Sequence, residues 1–298
     1  MSAGLSRRRF LAQGTLAASA FTLASPGVRR GLTAQERAPG DDEEIFHRVV
    51  RSVRSEAGAK APAGVLVAAC GRAFLGAPYV GHLLEGPPDE RLVVNLRQFD
   101  CLLLVENALA IARTILLGSD SFDVFRAQLM LIRYREGIIR DYPSRLHYLT
   151  DWIADNAGKH VVEDITRALG GRRDSRVIRF MSTHTESYRQ LSNPAYLEEI
   201  RRAEERLTGM ERYVMPARSV AEVQDRLQDG DVVGTETSIE GLDFGHSGLV
   251  TVDGTARRLL HASMSGGKVE IAAGSLVDYL ERHAISGIVV ARPLGARR

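Results

Sequence analysis

Cys101, His246 and His261 are the side chains whose types and spacing best suit covalent hydrolysis. A cysteine hydrolase needs a thiolate, a base that passes the thiol proton to the leaving group, and a third group that orients the base. Cys101 follows Asp100, a good N-cap residue, and opens a mostly apolar run. That pattern predicts a helix from Cys101 to about Leu117, ended by Gly118-Ser119-Asp120-Ser121. The unpaired N–H groups and partial positive charge of a helix start favour an anion, so a thiol there is expected to ionise readily. His246 opens one β-prone run and His261 closes another, with an Asp253-Gly254 turn between them. If the two runs form a hairpin, both imidazoles lie near one end of a sheet that the helix start can face. His246 is then the general base and His261 its orienter. The competing reading makes Cys101 a small apolar core residue, as most free cysteines are. Neither a His-Glu-x-x-His nor a Cys-x-x-Cys pattern occurs, so no metal site and no cofactor are expected.

The elements around these residues read as α+β. Helical spacing runs from Glu43 to Ser55 (Ile45, Val49, Val50, Val53). An apolar stretch from Gly64 to Phe74 holds Cys70, expected in the core, and stops at Gly76-Ala77-Pro78. Arg91-Leu92-Val93-Val94-Asn95 is short and β-prone. The helix at Cys101 is apolar almost all round, interrupted only by Glu106, Asn107, Arg113 and Thr114, which predicts burial in the centre of a domain. Residues from Phe122 to Ala217 read as mainly helical and charged, with one helix around residues 124–132 and another from Pro194 to Met210. From Asp231 the texture changes to short strands near residues 232–234, 246–252, 258–262, 269–271 and 287–291, with a short helix at 276–282. A large helical insertion, about residues 120–220, thus separates the cysteine from the histidines.

With 298 residues, 44% of them hydrophobic and 26% charged, the chain has the composition of an ordinary globular protein. Its net charge of +2 comes from the first 34 residues, which hold five arginines and no acid. The remainder carries 34 basic against 37 acidic side chains, which gives no case for a nucleic-acid partner. Ser6-Arg7-Arg8-Arg9-Phe10-Leu11 followed by a modest apolar stretch resembles a twin-arginine export signal. Cleavage is expected near Ala34 or, alternatively, near Ala24-Ser25-Pro26. Residues 35–42 then form a flexible start, and residues 43–293 a single domain. The apolar stretch is too short and polar for a permanent membrane span, so the mature chain is expected in the periplasm. Two cysteines exclude a disulfide scaffold.

Leu75-Gly76-Ala77-Pro78-Tyr79, Phe99-Asp100-Cys101, His246-Ser247-Gly248-Leu249 and Leu260-His261-Ala262-Ser263 occur in this order. Together with the inserted Ser144-Arg145-Leu146-His147-Tyr148 they resemble the N-acetylmuramoyl-L-alanine amidase-like branch of the NlpC-type papain-like cysteine peptidases. The resemblance spans about residues 43–293. It implies a papain-like fold, with the helix of Cys101 buried against an antiparallel sheet, and a Cys101–His246–His261 triad. It places Tyr79 in the site and makes peptidoglycan fragments the substrate. The triple leucine after Cys101 departs from the small or hydroxylated residues frequent in relatives. Within the insertion, Arg145 is a candidate to pair with a stem-peptide carboxylate. Ser144, His147 and Tyr148 are candidates to line the same cleft, and Asp243 to border it. A local structural role for Arg145 and His147 is the alternative. The expected reaction is hydrolysis of the muramoyl–L-alanine amide. The γ-D-glutamyl–diaminopimelate bond, a silent wall-binding module and a lipid acyltransferase stay open.

Overall fold

The computed structural model describes residues 40–85 and 89–296; the expected export signal lies outside the described residues. Helices α1 (Gly40–Glu56), α2 (Ala63–Arg72), α3 (Cys101–Leu116) and α4 (Phe122–Arg133) come first. They are followed by α5 (Leu149–Gly158), β1 (Val162–Asp164), β2 (Arg172–Asp174), α6 (Phe180–Thr183), α7 (Pro194–Gly209), β3 (Arg212–Pro216) and α8 (Ala217–Val223). The C-terminal part holds β4 (Val232–Glu236), β5 (Phe244–Asp253), β6 (Ala256–Ser263), β7 (Lys268–Ile271), α9 (Leu276–Arg282) and β8 (Gly287–Pro293). Among the described residues eight strands join one antiparallel sheet in the order β2-β3-β8-β4-β5-β6-β7, with β1 also pairing β8.

The sheet has a core on each face. Strand residues alternate between them, because successive side chains point to opposite sides. Val232, Leu249, Leu260 and Ala262 pack with α1 to α4, while Val233, Val250 and Leu259 pack with Tyr279 and Leu280 of α9. A third cluster joins Tyr148, Phe180, Ile200 and Leu207 within the insertion. The hairpin expected at Asp253-Gly254 forms, with Asp253 opposite Ala256 and Gly254 at φ +58°.

Helix α3 is the central element. Asp100 caps it by accepting from the Leu103 N–H at 2.8 Å, and every residue from Leu103 to Ile115 is buried. Its polar interruptions therefore need partners inside the protein. Glu106 accepts from Arg133 Nε of α4 at 2.7 Å, and Arg133 Nη1 donates to the Val93 carbonyl at 2.6 Å. Asn107 Nδ2 donates to the Leu103 carbonyl at 2.8 Å, Thr114 Oγ1 to Ala110 at 2.9 Å, and Arg113 Nε to Gln128 at 2.9 Å. Cys70 is fully buried in α2, which packs against α3.

Three expectations are corrected. The insertion, expected to be mainly helical, also carries β1, β2 and β3, which join the main sheet. Residues 91–95 form no strand; their carbonyls serve the side chains of Arg133 and Tyr134 instead. Residues 40–42 belong to α1 rather than to a flexible start, because the Asp42 carboxylate accepts from the Leu96 N–H at 2.9 Å and pairs with Arg97.

Arg133 and Glu106 are each about 1% exposed. Removing one charge strands the other away from water, so Arg133→Met should cost about 3–5 kcal/mol. Urea unfolding should read this loss, and a double Arg133→Met, Glu106→Leu variant should recover most of it.

Candidate active site

Cys101, His246 and Ser247 line one cavity of about 280 Å³ where the start of α3 meets the start of β5. Chain segments from across the sequence close it. Tyr79 is held beside Cys101 by a parallel bridge to Phe99 and by its own N–H, which donates to the Gly267 carbonyl at 2.9 Å. The far wall comes from Arg145, His147 and Tyr188 of the insertion and from Asp243.

The two histidines sit on neighbouring strands, and their rings meet edge to face, 85° apart. His246 Nε2 lies 2.8 Å from His261 Nδ1, so one ring donates to the other. His246 Nδ1 is buried and has no partner. His261 lies outside the cavity lining, with Tyr279 against its ring at 5.4 Å between centroids. Gly248 makes this packing possible: a Cβ there would sit 2.8 Å from the Leu260 carbonyl oxygen and 3.1 Å from His261 Cβ.

Burial governs the charges. It pushes His246 down to about 3, with His261 adding to the effect, and His261 down to about 4, with Glu270 opposing and His283 adding. Burial, with the neighbouring Asp100 carboxylate adding to it, pushes the Cys101 thiol up to about 11. The amide and hydroxyl of Ser247 and the Leu102 N–H act the other way. The expectation of an easily ionised thiol is thus reversed: at this helix start, desolvation and Asp100 outweigh the dipole. Asp100 itself is raised to about 6 by burial, and Tyr79 to about 12. Each group prefers its neutral form alone, so charge appears in this site most cheaply as a pair.

The insertion residues divide. His147 lines the cavity, with Nε2 donating to the Tyr142 carbonyl at 2.8 Å and its pKa pushed down to about 3 by burial. Asp243 also lines it, and its carboxylate accepts from the N–H groups of Thr150 at 2.7 Å and Phe244 at 2.8 Å, tying β5 to the start of α5. Ser144 and Tyr148 do not line the cavity. Ser144 completes a capping box with Asp141. The Tyr148 hydroxyl donates to Glu204 at 2.6 Å and accepts from the Met181 N–H at 2.8 Å, joining α6 to α7.

Arg145 lines the cavity but is committed within the protein. It donates to Glu85 at 2.6 Å and to the Leu84 carbonyl at 3.0 Å, with Glu90 3.7 Å from its Nε. Glu85, Glu106 and Arg133 also line the cavity and were not picked out as site residues from sequence. Glu106 did carry a signal, since an acid inside an all-apolar helix demands a buried cation.

Two outcomes follow from these charges. Asp100→Asn keeps the cap and removes the negative charge, so Cys101 should be alkylated by iodoacetamide at lower pH than in the wild type, whereas Asp100→Ala also loses the cap at about 1 kcal/mol. The depressed histidine pKa values stabilise the fold fully above the free value of about 6.5 and lose that contribution as pH falls through about 4 and about 3. Relative to the wild type, the unfolding free energy of His261→Gln should therefore rise as pH is lowered from 7 to 4.

A profile of the N-acetylmuramoyl-L-alanine amidase-like family matches residues 69–288. An N-acetylmuramoyl-L-alanine amidase from Bacteroides uniformis ATCC 8492 superposes with a TM-score of 0.74 at 34% identity, over 78% of this chain and 99% of that one. A Bacteroides fragilis structure described as a putative xylanase is 33% identical, with a TM-score of 0.69 over 74% of this chain and 98% of that one. A Legionella pneumophila str. Philadelphia 1 protein shares the fold at 18% identity, with a TM-score of 0.67 over 86% of this chain and 95% of that one. No curated protein sequence matches. With residues 69–288 matched and a solved structure of that name 34% identical over 99% of its chain, the chain belongs to the N-acetylmuramoyl-L-alanine amidase-like family.

Proposed function

We propose that the chain is a cysteine amidase of peptidoglycan fragments that cleaves the bond between muramic acid and L-alanine, with Cys101, His246 and His261 as its triad. The observation that carries this reading is the unpartnered, buried Nδ1 of His246, a residue that lines the same cavity as Cys101. In the tautomer that serves catalysis, His246 Nε2–H donates to His261 Nδ1, and Nδ1 keeps a lone pair for the thiol proton. Cys101 sulfur then attacks the lactyl carbonyl as its proton passes to Nδ1. The N–H of Cys101 at the helix start supports the oxyanion. The tetrahedral intermediate collapses to a thioester, and the alanine nitrogen leaves with the proton from His246. Water, deprotonated by His246, releases the muramyl acid and restores the thiol. In this reading the neutral phenol of Tyr79 donates to substrate or oxyanion.

The charges of the cavity support the amide at muramic acid over the γ-D-glutamyl–diaminopimelate bond. Both guanidiniums that line it, Arg133 and Arg145, are paired with carboxylates of the chain, and Asp100 and Asp243 add further acids. Such a wall suits a neutral sugar with hydroxyl and N-acetyl groups. It does not suit the free α-carboxylate that a γ-D-glutamyl acyl group would bring. In this reading Arg145 serves Glu85 rather than a stem-peptide carboxylate. Action outside the cytoplasm fits the twin-arginine pattern of Arg7 to Leu11. Among the described residues no helix is long and apolar enough to cross a membrane.

Mass spectrometry of digested muropeptides tests the reading. The expected product is an intact free stem peptide, lost entirely in Cys101→Ala with the fold retained. An L-Ala-D-Glu remnant on the sugar would assign the γ-D-glutamyl bond instead. A fully active Cys101→Ala protein would remove the mechanism.

A further inference from the structure

Two neighbouring residues, His246 and Ser247, each hold a buried polar atom without a partner. The first is explained by the triad; the second is not. Ser247 is 3% exposed, and its hydroxyl makes no hydrogen bond to any oxygen or nitrogen. A buried hydroxyl left unmatched destabilises the fold, so its presence needs a reason.

Strand alternation shows where this hydroxyl points. Leu249, two residues on, packs in the core that holds Leu104 and Leu109 of α3, so Ser247 faces α3 as well. His246, the preceding residue, lines the same cavity from the start of the strand and meets His261 of β6. At the end of the strand where Ser247 sits, α3 presents its first residue, and both Ser247 and Cys101 line the cavity there. The Ser247 amide and hydroxyl accordingly both favour the ionised sulfur.

We propose that Ser247 is a further catalytic residue, whose hydroxyl donates to the Cys101 sulfur when His246 removes the thiol proton. With no competing acceptor, the hydroxyl proton is held ready for that one anion. A neutral thiol is a weak acceptor and a thiolate a strong one, so the interaction strengthens as charge develops. Together with the Ser247 N–H it forms a two-donor cradle that offsets the burial and the Asp100 charge opposing ionisation.

The inference rests on Cys101 being the nucleophile, and its test uses no amide substrate. Iodoacetamide alkylation of Cys101, followed by peptide mass mapping across pH, reads thiolate formation directly; Cys70 is fully buried and distinguished by its peptide. In Ser247→Ala the profile should move up by roughly one pH unit, which is about tenfold slower labelling near neutrality. The melting temperature of the same variant should stay level or rise, because an unmatched polar group has been removed from the interior. A wild-type labelling profile would overturn the proposal. A lowered melting temperature would also overturn it, by assigning the hydroxyl a structural partner. Failure of this test leaves the loss of amide hydrolysis in Cys101→Ala as a separate result.

Discussion

The site depends on a helix that is buried along its length yet begins at a cavity. An α-helix ends in unpaired backbone groups that must be satisfied, and α3 meets this demand with Asp100 at the cap. The rest of the helix lies in the core, so Glu106 can exist there only because Arg133 reaches it from α4. That pair in turn anchors the segment before Cys101 through the Val93 carbonyl, and Asn107 holds the same segment through the Asn95 carbonyl at 3.4 Å. Packing and polar satisfaction together leave Cys101 little freedom to be elsewhere than facing β5.

The same burial shapes the chemistry. Desolvation disfavours a lone thiolate and a lone imidazolium alike, and the shifts of Cys101 and His246 are in opposite directions for that one reason. Neither ion is stable alone at neutral pH. A proton moving from sulfur to nitrogen makes both at once, and their attraction in a low-dielectric site compensates the cost of each. In the proposed mechanism this favours proton transfer concerted with attack over a permanently charged resting pair. The wall charges follow a related logic: guanidiniums placed next to carboxylates shape the cavity without giving it a net positive field.

Most of the elements carrying the site were legible in the sequence. Helix α3 runs one residue short of the expected end, and the hairpin around Asp253-Gly254 brings His246 and His261 together as its turn chemistry implies. Long periodic or turn-bounded segments carry their own instructions. What was not legible depends on partners far along the chain. Strands β1 and β2 are three residues each and largely exposed, and Arg172-Arg173-Asp174 has no β signature. They are strands because β8 and β3 offer unpaired edges. Arg145 has the chemistry of a carboxylate ligand, and only the approach of Glu85 shows which carboxylate it takes. Ser144 and Tyr148 have the right types for a cleft, but their local turns send them to Asp141 and Glu204.

Strand β8 pairs with β4 on one side and with β1 and β3 on the other, near the middle of the sheet, although it is the last of the eight to be synthesised. Until residues 287–293 emerge, β3 and β4 each present a row of unpaired backbone groups with no neighbour between them. The growing chain therefore carries two open edges, the kind of surface on which other chains add strands. Removing residues 287–293 would take out this keystone and split the sheet down the centre, separating the strands of the insertion from those that hold the histidines.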